Sequence, residues 1–261
     1  MQKSKKQLQK EAQRQLNAKL KFEKKLAAGV RRFLKKQNKQ ASEYAEKFAM
    51  QFDASNNEQE IKAILDDHYN MVIGKFYPSV VRDANAALAS AGVEKIDRND
   101  PLVIAAILAF INQSTSDGAE WITARSNRDI SVAFRTTDTN TEAIEKLDNS
   151  VLRRSQQIAT EHTQRAAEGG KSEVSRAVQR ASQGAAFAAA VEMLREKTWM
   201  TRMDKFVRDA HQMALFQTVR ATLPFVVGGE QLMYPGDMSL GASIGNVANC
   251  RCSAIYSFRI V

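Results

Sequence analysis

Apolar residues recur at three- to four-residue intervals through most of this chain, and the period changes only after His211. Leu16, Leu20, Leu26, Val30, Phe33, Leu34, Tyr44, Ala45, Phe48 and Phe52 mark one stripe of an N-terminal amphipathic helix. Ile61, Ile64, Leu65, His68, Tyr69, Val72, Ile73 and Phe76 form a second face, with Pro78 marking a break or kink. His68 on that face reads as a core-edge histidine bonded to a backbone or carboxylate partner, not as a ligand. Asn99, Asp100 and Pro101 make a helix start, with Asp at the N-cap and Pro at the first helical position. They feed the run Leu102 to Ile111, which is apolar nearly all round and so predicts a buried helix. The polar, Thr-rich stretch from Arg135 to Thr141 is the best internal boundary, and Thr141 and Glu142 open another helix. From Val151 to Arg195 small residues dominate, including Ala166, Ala167 and Ala188 to Ala190, which predicts close helix packing. Gly169, Gly170 and Gly184 read there as helix caps or hinges.

After His211 the pattern becomes β-like. Thr222 to Val227 is β-prone, Gly228 and Gly229 are a two-residue hairpin signal, and Glu230 to Tyr234 form the return strand. Pro224 places the first strand at an edge or at its own beginning. Ala254, Tyr256, Phe258 and Ile260 alternate as a terminal strand should. The expected fold is mainly α: a helical N-terminal body with a small C-terminal α+β module containing a short antiparallel hairpin and a terminal strand. Three consecutive segments follow: a basic helical arm over 1–55, a helical domain over 56–140 and a module over 141–261.

Charge is concentrated at one end. The first fifty residues hold fifteen Lys or Arg against four Glu, a net of +11, whereas the whole chain carries +9, leaving −2 for the other 211 residues. Lys5, Lys6, Lys24, Lys25, Arg31, Arg32, Lys35 and Lys36 crowd the polar face of the first helix. Such a face can neutralise phosphates, each contact steepening the salt dependence of binding by about 0.9. Three other uses fit the same residues: a solvated face that keeps the helix soluble, a membrane-surface helix, and an arm for an acidic protein surface. The longest apolar run is shorter than the roughly twenty residues a bilayer demands, so no membrane span is expected. The charged start is followed by no apolar core or cleavage site, so export is not expected and the cytoplasm is. The chain's two cysteines are one residue apart and read as free thiols or ligands, since a bridge between them closes too small a loop to restrain the fold.

The densest chemistry lies near the C-terminus. Trp199, Thr201, Asp204, Val207, Arg208 and His211 are followed by Tyr234, Pro235, Gly236 and Asp237, and then by Asn249, Cys250, Arg251 and Cys252. Upstream, Arg154 precedes Ile158, Ala159, Thr160 and Glu161. In this order and spacing the set resembles the phage Mu F-like (MuF) head-morphogenesis family, minor capsid proteins of tailed phages, over residues 150–260. Phe216 stands where that family usually places a glycine, and the Arg that often precedes Thr-Glu is missing. The resemblance implies a virion assembly role without established catalysis. Its partners would be the portal, scaffold or major capsid protein and non-specific DNA, in the virion and in the host cytoplasm during assembly.

The residues themselves leave several chemistries open. If Met203 to Phe216 is helical, Asp204, Arg208 and His211 share one face as an ion pair with the His bonded at its end. Alternatively His211, Cys250 and Cys252 suit a zinc ion, with a fourth ligand from Asp204, Asp237 or Glu161. A cysteine nucleophile with His211 as base is a third arrangement. Glu161 reads most simply as ion-paired with Arg154 or Arg165. Phosphate loops, dinucleotide fingerprints, His-Glu-x-x-His and Gly-x-Ser-x-Gly are absent from the sequence.

Overall fold

The computed structural model describes residues 3–48, 52–188 and 192–261. Its helical body is built from α1 (Lys5–Phe48), a 3-10 turn at Ala54–Asn57, α2 (Glu58–Ser90), α3 (Pro101–Arg135) and α4 (Asn140–Ala188). The C-terminal module follows with β1 (Met193–Met200), α5 (Asp209–Met213), β2 (Thr218–Arg220), β3 (Phe225–Val227), β4 (Glu230–Leu232), α6 (Ile244–Val247) and β5 (Ser253–Ile260). The protein is mainly α with a small α+β module at its C-terminal end.

Capping chemistry sets the helix starts. Ser4 Oγ accepts from the Gln7 amide at 3.3 Å while the Gln7 side chain takes the Ser4 amide at 2.8 Å, a reciprocal cap on α1. Asp100 Oδ1 accepts from Leu102 N at 2.8 Å ahead of α3, as its position before Pro101 predicts. Thr139 and Glu142 repeat the reciprocal arrangement before α4, with Glu142 Oε2 also holding the Asp138 amide.

Three helix-level expectations are corrected. Pro78 does not break the helix: it lies inside α2, which continues for twelve further residues to Ser90. Buried Ile73 and Phe76 before it and Val80, Val81, Ala84 and Leu88 after it offset the roughly 3 kcal/mol that an internal proline costs. The apolar run opening α3 is not buried all round: Val103, Ile107 and Ile111 are, but Leu102 and Leu108 are exposed, because only one stripe packs. Among the described residues α3 is also the helix long and apolar enough to cross a membrane by length and composition, a property core helices share. Gly169 and Gly170 are neither caps nor hinges, since α4 runs through both. A Cβ at Gly169 would meet Phe110 Cζ at 2.6 Å and one at Gly170 would meet Ile73 Cγ1 at 2.8 Å, so these glycines permit close packing. Ala189 and Ala190 of the small-residue run lie outside the described residues, as does the Phe48 side chain.

The chain groups into two compact units, each made of non-contiguous stretches to which all four long helices contribute. One unit comprises Lys21–Asn70 and Asn112–His162. Its core joins Leu26, Val30, Phe33 and Leu34 to Ile61, Leu65, Ile122, Val151 and Ile158. A Cβ at Gly118 would meet His162 Cε1 at 2.4 Å there, another close helix approach. His68 is buried in this unit against Phe22 and Tyr69, and burial, with the Lys25 charge adding to it, pushes its pKa down to about 4.

The other unit comprises Met1–Leu20, Met71–Ile111 and Thr163–Val261 and contains the C-terminal module. There β1 is the central strand of an antiparallel sheet ordered β2-β1-β5, paired with β5 from Met193↔Ile260 to Met200↔Ser253. β3 and β4 form the expected hairpin, and Gly228 and Gly229 both adopt the positive φ (60° and 81°) that its two-residue turn requires. The sequence reading missed β1, because its inward face carries Arg195 and Lys197 beside Met193 and Trp199, where alternation predicts apolar residues. Lys197 Nζ donates to Met233 O at 2.6 Å, and burial pushes its pKa down to about 8.

A buried charge network joins three elements of this unit. Glu168 on α4 receives Lys19 Nζ of α1 at 3.1 Å, Lys171 Nζ at 2.9 Å and the Ala254 amide of β5 at 2.8 Å. Lys19 also donates to Gln164 Oε1, Cys252 O and Ser253 Oγ, and Lys171 to Gln15 Oε1 and Ala254 O. Burial alone would raise the Glu168 pKa, but the two ammonium charges and the Ala254 N–H hold it below the usual carboxylate range. Glu168→Gln strands two buried ammonium groups, and urea unfolding at neutral pH should record a loss of about 3–5 kcal/mol. Because the carboxyl pKa is lowered on folding, that contribution persists above the usual carboxylate range and vanishes as pH falls through the lowered value. Acidification should therefore narrow the gap between the two proteins.

Candidate metal centre in the C-terminal module

Four backbone segments bring the motif residues together. After β1 the chain turns at Met203 (φ 57°), and Asp204 Oδ1 accepts from Phe206 N at 3.0 Å, a local turn that prevents helix until Asp209. α5 then presents His211 edge-on to the buried Trp199 ring at 5.6 Å, and Trp199 packs in the same manner on Phe225 at 5.2 Å. α6 supplies Asn246, and Asn249 in the left-handed region (φ 54°) turns the chain into Cys250, Arg251 and Cys252, which immediately precede β5.

The expected one-face helix carrying Asp204, Arg208 and His211 is therefore corrected. Only Asp209–Met213 is helical, and Asp204 and Arg208 do not pair. Asp204 instead pairs with Arg202 at 2.6 Å, and an Arg208 guanidinium N–H donates to the Ala248 carbonyl, tying the turn to the cysteine loop.

His211 Nδ1 lies 3.4 Å from Cys252 Sγ and 3.7 Å from Cys250 Sγ, and all three residues are buried. On its other side, Nε2 lies 2.7 Å from Asn246 Oδ1 and 3.0 Å from Asn246 O. The Asn246 amide nitrogen donates to Val227 O and Glu230 Oε2, which turns its oxygen towards the imidazole. Nε2 is then the donor, and Nδ1 presents its lone pair to the two sulfurs. Hydrogen bonding from Cys252, followed by His211, outweighs burial and pushes the Cys250 thiol well below its usual pKa; Cys250 in turn pushes Cys252 up. Burial opposes protonation of His211, but its hydrogen bond to Cys250 and that sulfur's charge raise its pKa on balance. A cleft of about 480 Å³ reaches the three side chains and is rimmed by Arg202, Arg208, Arg251 and the exposed ring of Phe206.

The other predicted residues lie apart from this point. Asp204 lines the cleft, but among the described residues the ligand group contains His211, Cys250 and Cys252 and no carboxylate. Asp237 is buried and committed to its loop, accepting from Met233 N, Ser239 N and Ser239 Oγ at 2.8–3.0 Å. Pro235 O accepts from Gln164 Nε2 at 3.1 Å. Glu161 belongs to the other compact unit and accepts from Gln157 at 3.1 Å; Arg154 pairs with Asp129 instead. The eight basic residues singled out on α1 are all exposed, with Lys36 paired to Glu60 at 2.6 Å and Lys5 over the Phe216 ring. Sequence reading missed Asn246, Gln164 and Lys19. For Lys19 a signal existed, since it falls three residues after Leu16 on the apolar stripe.

Asp237→Ala should cost about 1–3 kcal/mol, because it removes the buried carboxylate that accepts three part-buried hydrogen bonds shaping its loop. Asp204→Ala removes a partly exposed pair and should cost under about 1 kcal/mol. Thermal unfolding of the two variants checks this order. No protein-family model, curated protein or solved structure matches this chain.

Proposed function

We propose that this protein is a minor head component of a tailed phage or prophage, assembled at the portal or scaffold and touching packaged DNA through α1. The observation that carries this reading is the convergence of Trp199, His211, Cys250 and Cys252, the rarest residue types of the resemblance, on one buried point. A second supports it: Phe216, standing where the family usually has glycine, has φ 67°, a conformation glycine adopts without steric cost. The backbone at that turn keeps the shape a glycine would serve. A thiol- or metal-dependent enzyme using His211 and Cys250 or Cys252 is the second reading, favoured by the cleft that reaches them.

The basic helix is not a detachable arm. Leu26, Val30, Phe33 and Leu34 bury one face in the core of its unit, while Lys24, Arg31, Arg32 and Lys35 form an exposed stripe on the other. Removing the segment would expose that core, so the charges must be removed in place. Substituting Lys24, Arg31, Arg32 and Lys35 by Gln should leave the fold intact and flatten the log–log salt dependence of DNA binding by about 3–4 units, if each contacts one phosphate. An unchanged slope would remove this face from DNA contact. The role itself is tested by quantitative mass spectrometry of DNA-filled heads and empty procapsids: a few copies per particle in both are expected, and absence from both contradicts it.

A further inference from the structure

We propose that His211 Nδ1 and the thiolates of Cys250 and Cys252 bind one zinc ion, with the fourth position open to the cleft and filled by water or a small anion. This goes beyond the assembly role and does not rest on it. The ligand atoms lie within 4.8 Å of one another. Around tetrahedral zinc, with metal–nitrogen distances of about 2.0–2.1 Å and metal–sulfur distances of about 2.3 Å, the nitrogen–sulfur edge is about 3.6 Å. The two edges here are 3.4 and 3.7 Å. The tight Cys-x-Cys spacing suits this arrangement because the loop ahead of β5 brings both sulfurs within reach of the same imidazole nitrogen.

The surroundings match those of a metal site. Asn246 Oδ1 takes the proton of Nε2, which fixes the tautomer and leaves Nδ1 for the ion. Trp199 Nε1 is buried without another hydrogen-bond partner and lies beside the Cys252 sulfur, where an N–H supports a thiolate. A zinc ion with two thiolates is neutral, so its burial strands no charge. Arg202, Arg208 and Arg251 rim the open side and favour an anion at the fourth position.

Metal-free full-length protein reconstituted with zinc should hold about one ion per chain by elemental mass spectrometry, and chelation should lower its melting temperature. Cobalt in place of zinc should give thiolate-to-metal charge-transfer and tetrahedral d–d bands. Cys250→Ser and Cys252→Ser should each abolish stoichiometric binding. Asn246→Ala, acting by positioning, should weaken it by about 10–100-fold. A readout on the unaltered chain guards against misfolded variants: titrating two thiols with a mercurial should release one zinc, followed by a colorimetric chelator. Folded protein that binds neither zinc nor cobalt and whose two thiols titrate freely would overturn the proposal.

Discussion

Glu168, held between Lys19 and Lys171 with no access to water, is the constraint on which the C-terminal half of the molecule depends. Three buried charges are costly to desolvate, and the cost is tolerable only when nearly every donor and acceptor finds a partner. Here they do: the two ammonium groups reach side chains on α1 and α4 and carbonyls at Cys252 and Ala254, while Glu168 also takes the Ala254 amide. Burial lowers the Lys171 pKa and the Glu168 charge opposes that, so each partner keeps the other ionised. The network fixes the start of β5 against two helices. Through β5 it fixes β1, and with it the strand end that carries Trp199.

The cluster of His211, Cys250 and Cys252 inherits its geometry from this arrangement. Cys252 contributes its sulfur to His211 and its carbonyl to Lys19 and Gln164, so one residue belongs to both networks. Asn246 plays the corresponding part on the other side, joining His211 to the β3–β4 hairpin through Val227 O. A site supported from both sides in this way is pre-organised: the imidazole and the two sulfurs have little freedom to separate without disturbing buried hydrogen bonds.

Helices and the hairpin were legible in the sequence because their signals are local. The spacing of Leu26, Val30, Phe33 and Leu34, the Asp100–Pro101 start and the Gly228–Gly229 turn each follow from a few adjacent residues. That Trp199, His211, Cys250 and Cys252 form one set was legible too, from residue type and order, and the structure brings them together. What was hidden required non-local pairing. β1 looked unlike a strand because Arg195 and Lys197 face inward, and only Ser175 Oγ and Met233 O, distant in sequence, explain why they can. The supposed helix through Asp204 failed because Met203 enters the left-handed region, which no composition signal announces for a methionine. Gly169 and Gly170 looked like breaks because the side chains that fill their vacant sides, Phe110 and Ile73, lie far away in the chain.

The claim most open to a direct test is that the C-terminal module does not stand as a separate domain but is completed by Lys19 from α1. Residues 141–261, produced alone with zinc present, carry the module and all of α4 but its first residue, and lack that lysine. Their amide proton–nitrogen correlation spectrum should be poorly dispersed, with the β1–β5 resonances missing from their full-length positions. A spectrum in which those resonances coincide with the full-length protein's would contradict the account.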